Sequence, residues 1–438
     1  MPVRLSARLL PAWVDPVEVF RWLEGREPDV FWLDAGTDPR SGWSFVGRGD
    51  VASQPVDVRI DAPMPNPSLP PFGGGWVGWC DYETGARAAG APVAGPGDAG
   101  KSWLRADRVV AFDHSSGRAW ALADDDGVDA WASAIARIGT TATSPVEVPA
   151  VRPAAPAVAR HEPDEYAGLI AQCRELIRAG TAYQLCLTTR FTVPGVHDPV
   201  SVYLRLRTAT PAHHGGFIRI GARALLSASP EQFLHAESGT IRTRPIKGTR
   251  PRSADPQRDV ELAAELAANT KERAENVMIV DLMRNDLSRV CVPGSIRVEG
   301  LWTVESYPAV HQLVSTVSGT AASGTTLGDL LAATFPAGSM TGAPKLSAMT
   351  RLHALEGGPR GVYAGCFGYV GVDGTVDLAM VIRSIVIEPG EAFVGAGGGI
   401  TWGSEPAAEV AEVATKARAP LAALGAVLPV HWASDILN

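Results

Sequence analysis

Cysteine and positive charge are both scarce in this chain. The five cysteines, Cys80, Cys173, Cys186, Cys291 and Cys366, are odd in number, widely separated and nowhere spaced CxxC, which excludes a disulfide scaffold and a zinc ribbon. Lys and Arg total 39 against 47 Asp and Glu, a formal net charge of −8. The chain lacks the cationic surplus needed to track a phosphate backbone, so nucleic acid is not an expected partner. No run of roughly 18 apolar residues is present to span a bilayer. The opening MPVRLSARLLPAWVDP has no continuous apolar region ahead of a small-residue cleavage site, so a secretory leader is not expected either. A cytoplasmic protein without membrane contact is the resulting expectation.

Glycine (46) and proline (34) are what the 438 residues hold in quantity. The length asks for one large domain or two intimately packed ones. Prolines gather at residues 61–75 and again at 141–160, where Pro145, Pro149, Pro153 and Pro156 stand among Ala, Val and Thr without helical or strand period. The second stretch reads as a linker. Before it, in residues 1–140, runs such as VFWLDA, GWSFVG, DVRID and DRVVAFD predict a mostly β region. After it, over 161–425, helices and strands alternate. Pro163 and Asp164 open a helix with Tyr166, Leu169, Ile170, Cys173, Leu176 and Ile177 on one face, closed by Gly180. Strands are predicted at AYQLCLTTRFTV, GFIRI, ALLSAS, TIRTRPI, AGCFGYV, TVDLAMVIRSIVI and AFVGAGGGI, and long helices from 256 to about 286 and from 404 to about 424.

Three glycine clusters lie in the second half: PAGSMTGAPK (336–345), GVYAGCFGYVG (361–371) and GAGGGITWGSEP (395–406). Glycine lets backbone N–H groups approach a ligand, and loops opening helices suit an anion. None matches GxGxxG or GxxxxGK[ST], which counts against a nucleotide. Arg383, inside LAMVIRSIVI, is a guanidinium in an apolar strand and needs an anion, either a bound carboxylate or an internal Asp or Glu. Glu272 with Glu275, and Glu409 with Glu412, are acid pairs three residues apart on helix faces. Like charges so placed repel, and either solvent and neighbouring lysines or a hard cation such as Mg2+ must separate them. Lys247, in TRPIKGTRPR, stands among Arg244, Arg250 and Arg252, a crowding of cations that would free its amine as a nucleophile if the loop is not simply solvated. Glu231, in SASPEQFL, is positioned for desolvation that would suit a general acid.

The ordered set GWSFVG, PFGGGWVGW, YQLCLTTRF, SASPEQF, RPIKGTRPR, KERAENVMIVDLMRNDLSRV, YPAVHQLVSTVSG, FPAGSMTGAPK, GVYAGCFGYVG, VIRS, GAGGGI and SEPAAEVAEVATKA resembles the chorismate-utilising enzymes over essentially the whole chain. The resemblance implies an α+β fold like that of anthranilate synthase component I. In it two large antiparallel sheets form a sandwich with helices outside, and the N- and C-terminal parts merge. It also implies that Glu272, Glu275, Glu409 and Glu412 surround Mg2+, which holds the ring carboxylate of chorismate. Tyr363 and Arg383 would contact the enolpyruvyl carboxylate, assisted by backbone N–H groups near Gly397, Gly398 and Gly399. Ser339 and Thr341 match the polar positions of the 336–345 loop, and Glu231 the acid that protonates the departing C4 hydroxyl.

Within that family, water-adding members carry a lysine base where this chain has Gln184, and glutamine cannot take a proton from water. Anthranilate synthases carry PIAGT. This chain carries PIKGT, as aminodeoxychorismate synthases do, which implies a Lys247 adduct at C2, amination at C4 and a product for p-aminobenzoate and folate synthesis. Anthranilate synthase component I and a non-catalytic binding subunit are the competing readings. Gln312 occupies the position where pyruvate-eliminating members often have His, Cys186 replaces a usual Asn, and Asp34 and Ala35 replace the Glu and Ser of tryptophan-inhibited relatives. No GxCxG nucleophile turn is present, so ammonia is expected from a separate glutaminase subunit.

Overall fold

Every residue of the strand Val30–Asp34 is buried, and alternate side chains enter different cores. Val30 and Trp32 join one, Phe31 and Leu33 the other, because successive strand residues point to opposite faces. The same division recurs in Arg223–Ser229 (Leu226 against Leu225) and Ser384–Glu388 (Ile385 against Val386). These strands are covered on both sides, and their run of apolar residues follows from that. The structure, a computed structural model, describes residues 4–37, 39–62, 69–95, 102–141, 155–307 and 310–433.

One antiparallel ladder connects the strands. From Gln184–Pro194 it passes through Glu391–Ile400, Ser384–Glu388, Arg223–Ser229, His214–Ile220, Val30–Asp34 and Trp43–Ala52 to Trp103–Asp113. There the far edge is shared, Arg118–Ala123 taking one end and Gly75–Cys80 the other. Through Gly75–Cys80 the ladder continues to Cys366–Gly371, Val376–Met380, Gln232–Glu237, Thr240–Thr243 and Val310–Thr320. Ile246–Pro251 and Arg297–Ser306 flank that last strand. The two halves fold over each other: Phe31, Phe45, Ile218 and Val386 of the first share a core with Trp79, Phe233, Tyr369 and Leu378 of the second. Helices Pro16–Glu24, Pro163–Arg178, Pro199–Ala209 and Pro406–Ala423 cover the outer face of the first half. This is the α+β sandwich that the resemblance implied. No helix among the described residues is long and apolar enough to cross a membrane.

The helix Pro163–Arg178 starts with proline at its first turn and a Glu162–Glu165 capping box, and buries Tyr166, Ile170 and Cys173 as its periodicity predicts. Two other expectations are corrected. The long helix from 256 is two helices, Pro256–Ala268 and Thr270–Ser288, separated by Asn269, whose side chain accepts a hydrogen bond from Glu272 N–H and caps the second. The run TVDLAMVIRSIVI is likewise two strands, Val376–Met380 and Ser384–Glu388. Of the expected linker, 142–154 lies outside the described residues. Its end is built into the body, Ala155–Pro156 running parallel to Ala426–Val427 and Val158–Ala159 pairing with Gln184–Pro194.

Candidate active site

The site forms where the sheet opens. Glu391–Ile400 pairs with Gln184–Pro194 along its whole length but with Ser384–Glu388 only as far as Phe393. From Gly395 onward one edge of that strand therefore has no neighbouring strand among the described residues, and in this stretch the Gly397 carbonyl accepts from Lys416 Nζ at 2.8 Å. Arg383 stands at this opening. It sits between the two strands, with φ +53°, so the backbone leaves the sheet here and the side chain is not embedded mid-strand as the sequence suggested. Among the described residues no carboxylate lies within ion-pair distance of its guanidinium. Burial pushes the guanidinium below its ordinary value, with Tyr363 and Glu412 opposing. Of the two partners open from sequence, the internal acid is not found among the described residues.

The glycine run is needed for close approach. A Cβ on Gly395 would lie 2.1 Å from the Tyr363 ring, one on Gly397 2.4 Å from the Leu187 carbonyl oxygen, and one on Gly398 2.9 Å from Glu409 Oε2. On Gly399 it would meet Gln184 Nε2 at 2.5 Å and Lys247 Nζ at 3.5 Å. Tyr363, Gln184, Lys247 and Glu409 thus gather around residues 395–399. Gln184 is wholly buried, and both its amide nitrogen and its oxygen lack a partner among the described residues.

Lys247 Nζ lies 4.0 Å from Glu275 Oε2. The crowding of cations expected from sequence is not its environment. Arg244 pairs with Glu305, Arg250 with Glu265 at 3.0 Å, and Arg252 with Asp259 at 2.7 Å, each drawn away to its own acid. Lys247 faces Gln184 and the acids instead. Glu231 is buried and accepts a 3.3 Å hydrogen bond from Ser339 Oγ. Burial pushes its carboxyl up to about 7, against the opposing pull of Lys247 and Ser339, which suits a proton donor near neutrality. Thr341, also predicted for the site, gives its hydroxyl to the Ala337 carbonyl at 3.1 Å and serves the loop itself.

The acid pairs face each other across two helices. Lys271 Nζ is 3.9 Å from Glu275 Oε1 and 3.9 Å from Glu409 Oε1, and Lys416 Nζ is 2.7 Å from Glu412 Oε1. Glu272 lies 4.0 Å from Arg250. Burial raises the carboxyls of Glu275 and Glu409, and each is raised further by neighbouring acids. For Glu412 the surrounding lysines, Lys416 foremost, outweigh burial and hold it below the usual range. As the side chains stand, no three His, Cys, Asp or Glu among the described residues converge to enclose an ion. The donor chemistry nonetheless fits a hard divalent cation: all four are carboxylates, and at present an ammonium stands between the two that face each other.

Sequence reasoning missed a buried network behind these groups. Arg360 donates to both oxygens of Glu356 at 2.8 and 2.7 Å, and Glu83 accepts from the backbone N–H groups of Arg360 and Gly361. Lys345 of the 336–345 loop is structural, bonded to Asp286 at 2.7 Å and to the Thr334 carbonyl at 3.0 Å. Gln312 is buried, and its side-chain oxygen has no hydrogen-bond partner among the described residues. Asp34 is occupied by Arg207, Tyr203 and the Gly36 N–H.

A sandwich opened by a glycine strand gathers a buried acid, a lysine, four carboxylates and an arginine without an ion-pair partner among the described residues, the equipment of an enzyme. Residues 28–422 match the family of chorismate binding enzymes, and the chain belongs to that family. It is 42% identical to aminodeoxychorismate synthase of Streptomyces pristinaespiralis, over 99% of this chain and 67% of the relative. With aminodeoxychorismate synthase of Streptomyces griseus it shares 36% identity over 98% of this chain and 65% of the relative. With anthranilate synthase component 1 of Streptomyces coelicolor (strain ATCC BAA-471 / A3(2) / M145) the identity is 38% over 96% of this chain and 89% of the relative. The chain thus spans about two thirds of the length of the two aminodeoxychorismate synthases. The solved structure of anthranilate synthase component I from Streptococcus pneumoniae TIGR4 superposes with a TM-score of 0.70 at 26% identity, covering 95% of this chain and 93% of that one.

Proposed function

We propose that the chain is the chorismate-aminating component of an aminodeoxychorismate synthase, acting in the cytoplasm and supplying p-aminobenzoate for folate. One observation carries the reading: the Lys247 amine stands at Gly399 beside the unpartnered Gln184 amide, where an anthranilate synthase of the PIAGT type has no amine. The unpaired Arg383 with Tyr363 receives the enolpyruvyl carboxylate, and the open edge from Gly395 supplies backbone donors. Glu272, Glu275, Glu409 and Glu412 would hold Mg2+, which when bound fixes and polarises the ring carboxylate.

The chemistry is two allylic displacements. Lys247 Nζ, in its uncharged form, bonds to C2 as both conjugated ring double bonds shift, C1=C2 to C1=C6 and C5=C6 to C4=C5, and the C4–O bond breaks. Glu231 gives its proton to that oxygen, which departs as water. Ammonia then bonds to C4 and passes one proton on to the basic groups of the site. Both ring double bonds shift back and the C2–N bond to Lys247 breaks, its electron pair leaving with the lysine nitrogen. The enolpyruvyl ether is not touched, so no pyruvate forms. Gln184 holds the incoming nucleophile by hydrogen bonds without deprotonating it.

The test is incubation with chorismate, Mg2+ and ammonium. 4-Amino-4-deoxychorismate without pyruvate is expected, and Lys247→Ala is expected to lose amination. Anthranilate with pyruvate would instead make this an anthranilate synthase, the activity named for the Streptomyces coelicolor relative. Glutamine should replace ammonium only when a separate glutaminase is added.

A further inference from the structure

We propose that the buried Arg360–Glu356 pair is a positioning clamp for the proton donor and the nucleophile-binding strand, acting through Met340, Cys186 and Thr188. The inference rests on the reading of Glu231 as the acid. Both side chains are nearly inaccessible, at 1% and 4% exposure. The pair lies at the end of the helix Lys345–Glu356 and in the turn that follows it.

Its bonds do not stay local. Arg360 Nη1 donates to the Met340 carbonyl at 2.6 Å, and Nη2 donates to the Cys186 carbonyl at 2.8 Å. Glu356 Oε1 accepts from both the backbone N–H and the hydroxyl of Thr188, each at 2.9 Å. The guanidinium lies 4.2 Å from the centre of the Tyr82 ring, and its own backbone N–H is held by Glu83. Met340 follows Ser339, the residue that donates to Glu231. Cys186 and Thr188 lie two and four residues beyond Gln184 and pair with Gly399 and Gly397. One planar fork therefore fixes the loop that touches the acid and the strand that carries the unpartnered amide. Arg383 makes none of these bonds, so its guanidinium is placed independently of the clamp.

A shift of a few tenths of an ångström at Met340 lengthens the 3.3 Å Ser339–Glu231 bond. That bond opposes protonation of Glu231, so losing it leaves the acid protonated to higher pH. The other groups facing Glu231 are Lys247, Lys416 and the Ile246 N–H.

The experiment compares wild type with Arg360→Lys, which keeps the charge but loses the fork, and with isosteric Glu356→Gln, which carries the test if the first does not fold. Expected in the folded fraction is a fall in kcat of at least tenfold, with a smaller change in KM for chorismate. The alkaline limb of the kcat–pH profile should move upward. Ser339→Ala should reproduce the limb shift, and Arg360→Lys combined with it should add none. A pair that only braces the fold would lower the melting temperature while leaving kcat, its pH limb and the Ser339 coupling unchanged, and that result overturns the proposal. Should wild type yield anthranilate, the functional reading fails, and the clamp is judged on the same profile for that product.

Discussion

Replacing Glu231 by glutamine should make the protein more stable and nearly inactive, with the stability gain appearing only as pH rises. Burial moves this carboxyl from an ordinary 4.5 to about 7 in the folded chain, while the unfolded chain keeps the ordinary value. Below the lower value both states are protonated and the position is neutral in its effect. Between the two the unfolded chain releases its proton and the folded chain retains it, so stability falls as pH rises. Above the upper value the full difference is lost, about 3 kcal/mol for a shift of this size. Glutamine keeps the shape and an oxygen for Ser339 but has no charge to desolvate. A chain of 438 residues unfolds with an entropy near 0.9 kcal/mol/K, so about 3 kcal/mol corresponds to roughly 3 °C in melting temperature. Scanning calorimetry of wild type and Glu231→Gln from about pH 3.5 to pH 8 should give superimposed melts at the acid end, below the unfolded value, and a separation opening to that size at the alkaline end. Turnover in the same preparations should drop by roughly 10²–10⁴. A separation that does not change with pH, or a variant that melts below wild type at pH 8, would refute the argument that Glu231 is held protonated by burial.

Three further outcomes follow from the geometry. Arg383→Lys keeps the cation but loses the planar fork, and KM for chorismate should rise about tenfold or more with kcat within a few-fold; unchanged KM in steady-state assays would place the substrate carboxylate elsewhere. Gly399→Ala puts a methyl group 2.5 Å from the Gln184 amide, the end of a side chain and not backbone. It should therefore preserve the far-UV spectrum while cutting turnover with ammonium by about tenfold. Mg2+ at a hundred times its dissociation constant should stabilise the substrate-free protein by about 2.7 kcal/mol, roughly 3 °C, and Glu275→Gln with Glu409→Gln should abolish that increment; a metal-independent melt of the wild type would rule out the carboxylate site.

The parts of the site visible in sequence are those whose composition is unusual for their setting. Glycines at 395–399 and acids three apart on the helices Thr270–Ser288 and Pro406–Ala423 stand out because ordinary strands and helices disfavour them. The helix Pro163–Arg178 was legible for a similar reason, since its cap and its period agree. What escaped was hidden by ordinariness. Glu356 and Arg360, four residues apart at a helix end, look like a solvated surface pair, and only the tertiary fold puts them at 4% and 1% exposure. Arg383 looked like strand interior because its neighbours on both sides are apolar, yet the backbone turns to φ +53° there. Asn269 broke a helix whose propensity ran through it, because its side chain satisfies Glu272 N–H better as a cap. The arginines around Lys247 suggested mutual repulsion, but each has an acid outside that loop to receive it.

The pairing of Gly75–Cys80 with Cys366–Gly371 has a consequence for biosynthesis. Cys80 emerges from the ribosome and its partner Cys366 follows roughly 290 residues later, which at typical elongation rates is a delay of about 15 to 60 seconds. Throughout that interval a strand reading GWVGWC has one edge without its native neighbour, and such edges recruit other chains. The enzyme is therefore assembled late, from its C-terminal half back onto its N-terminal half. Its yield in a cell will depend on what shields the nascent N-terminal strands as much as on the stability of the finished sandwich.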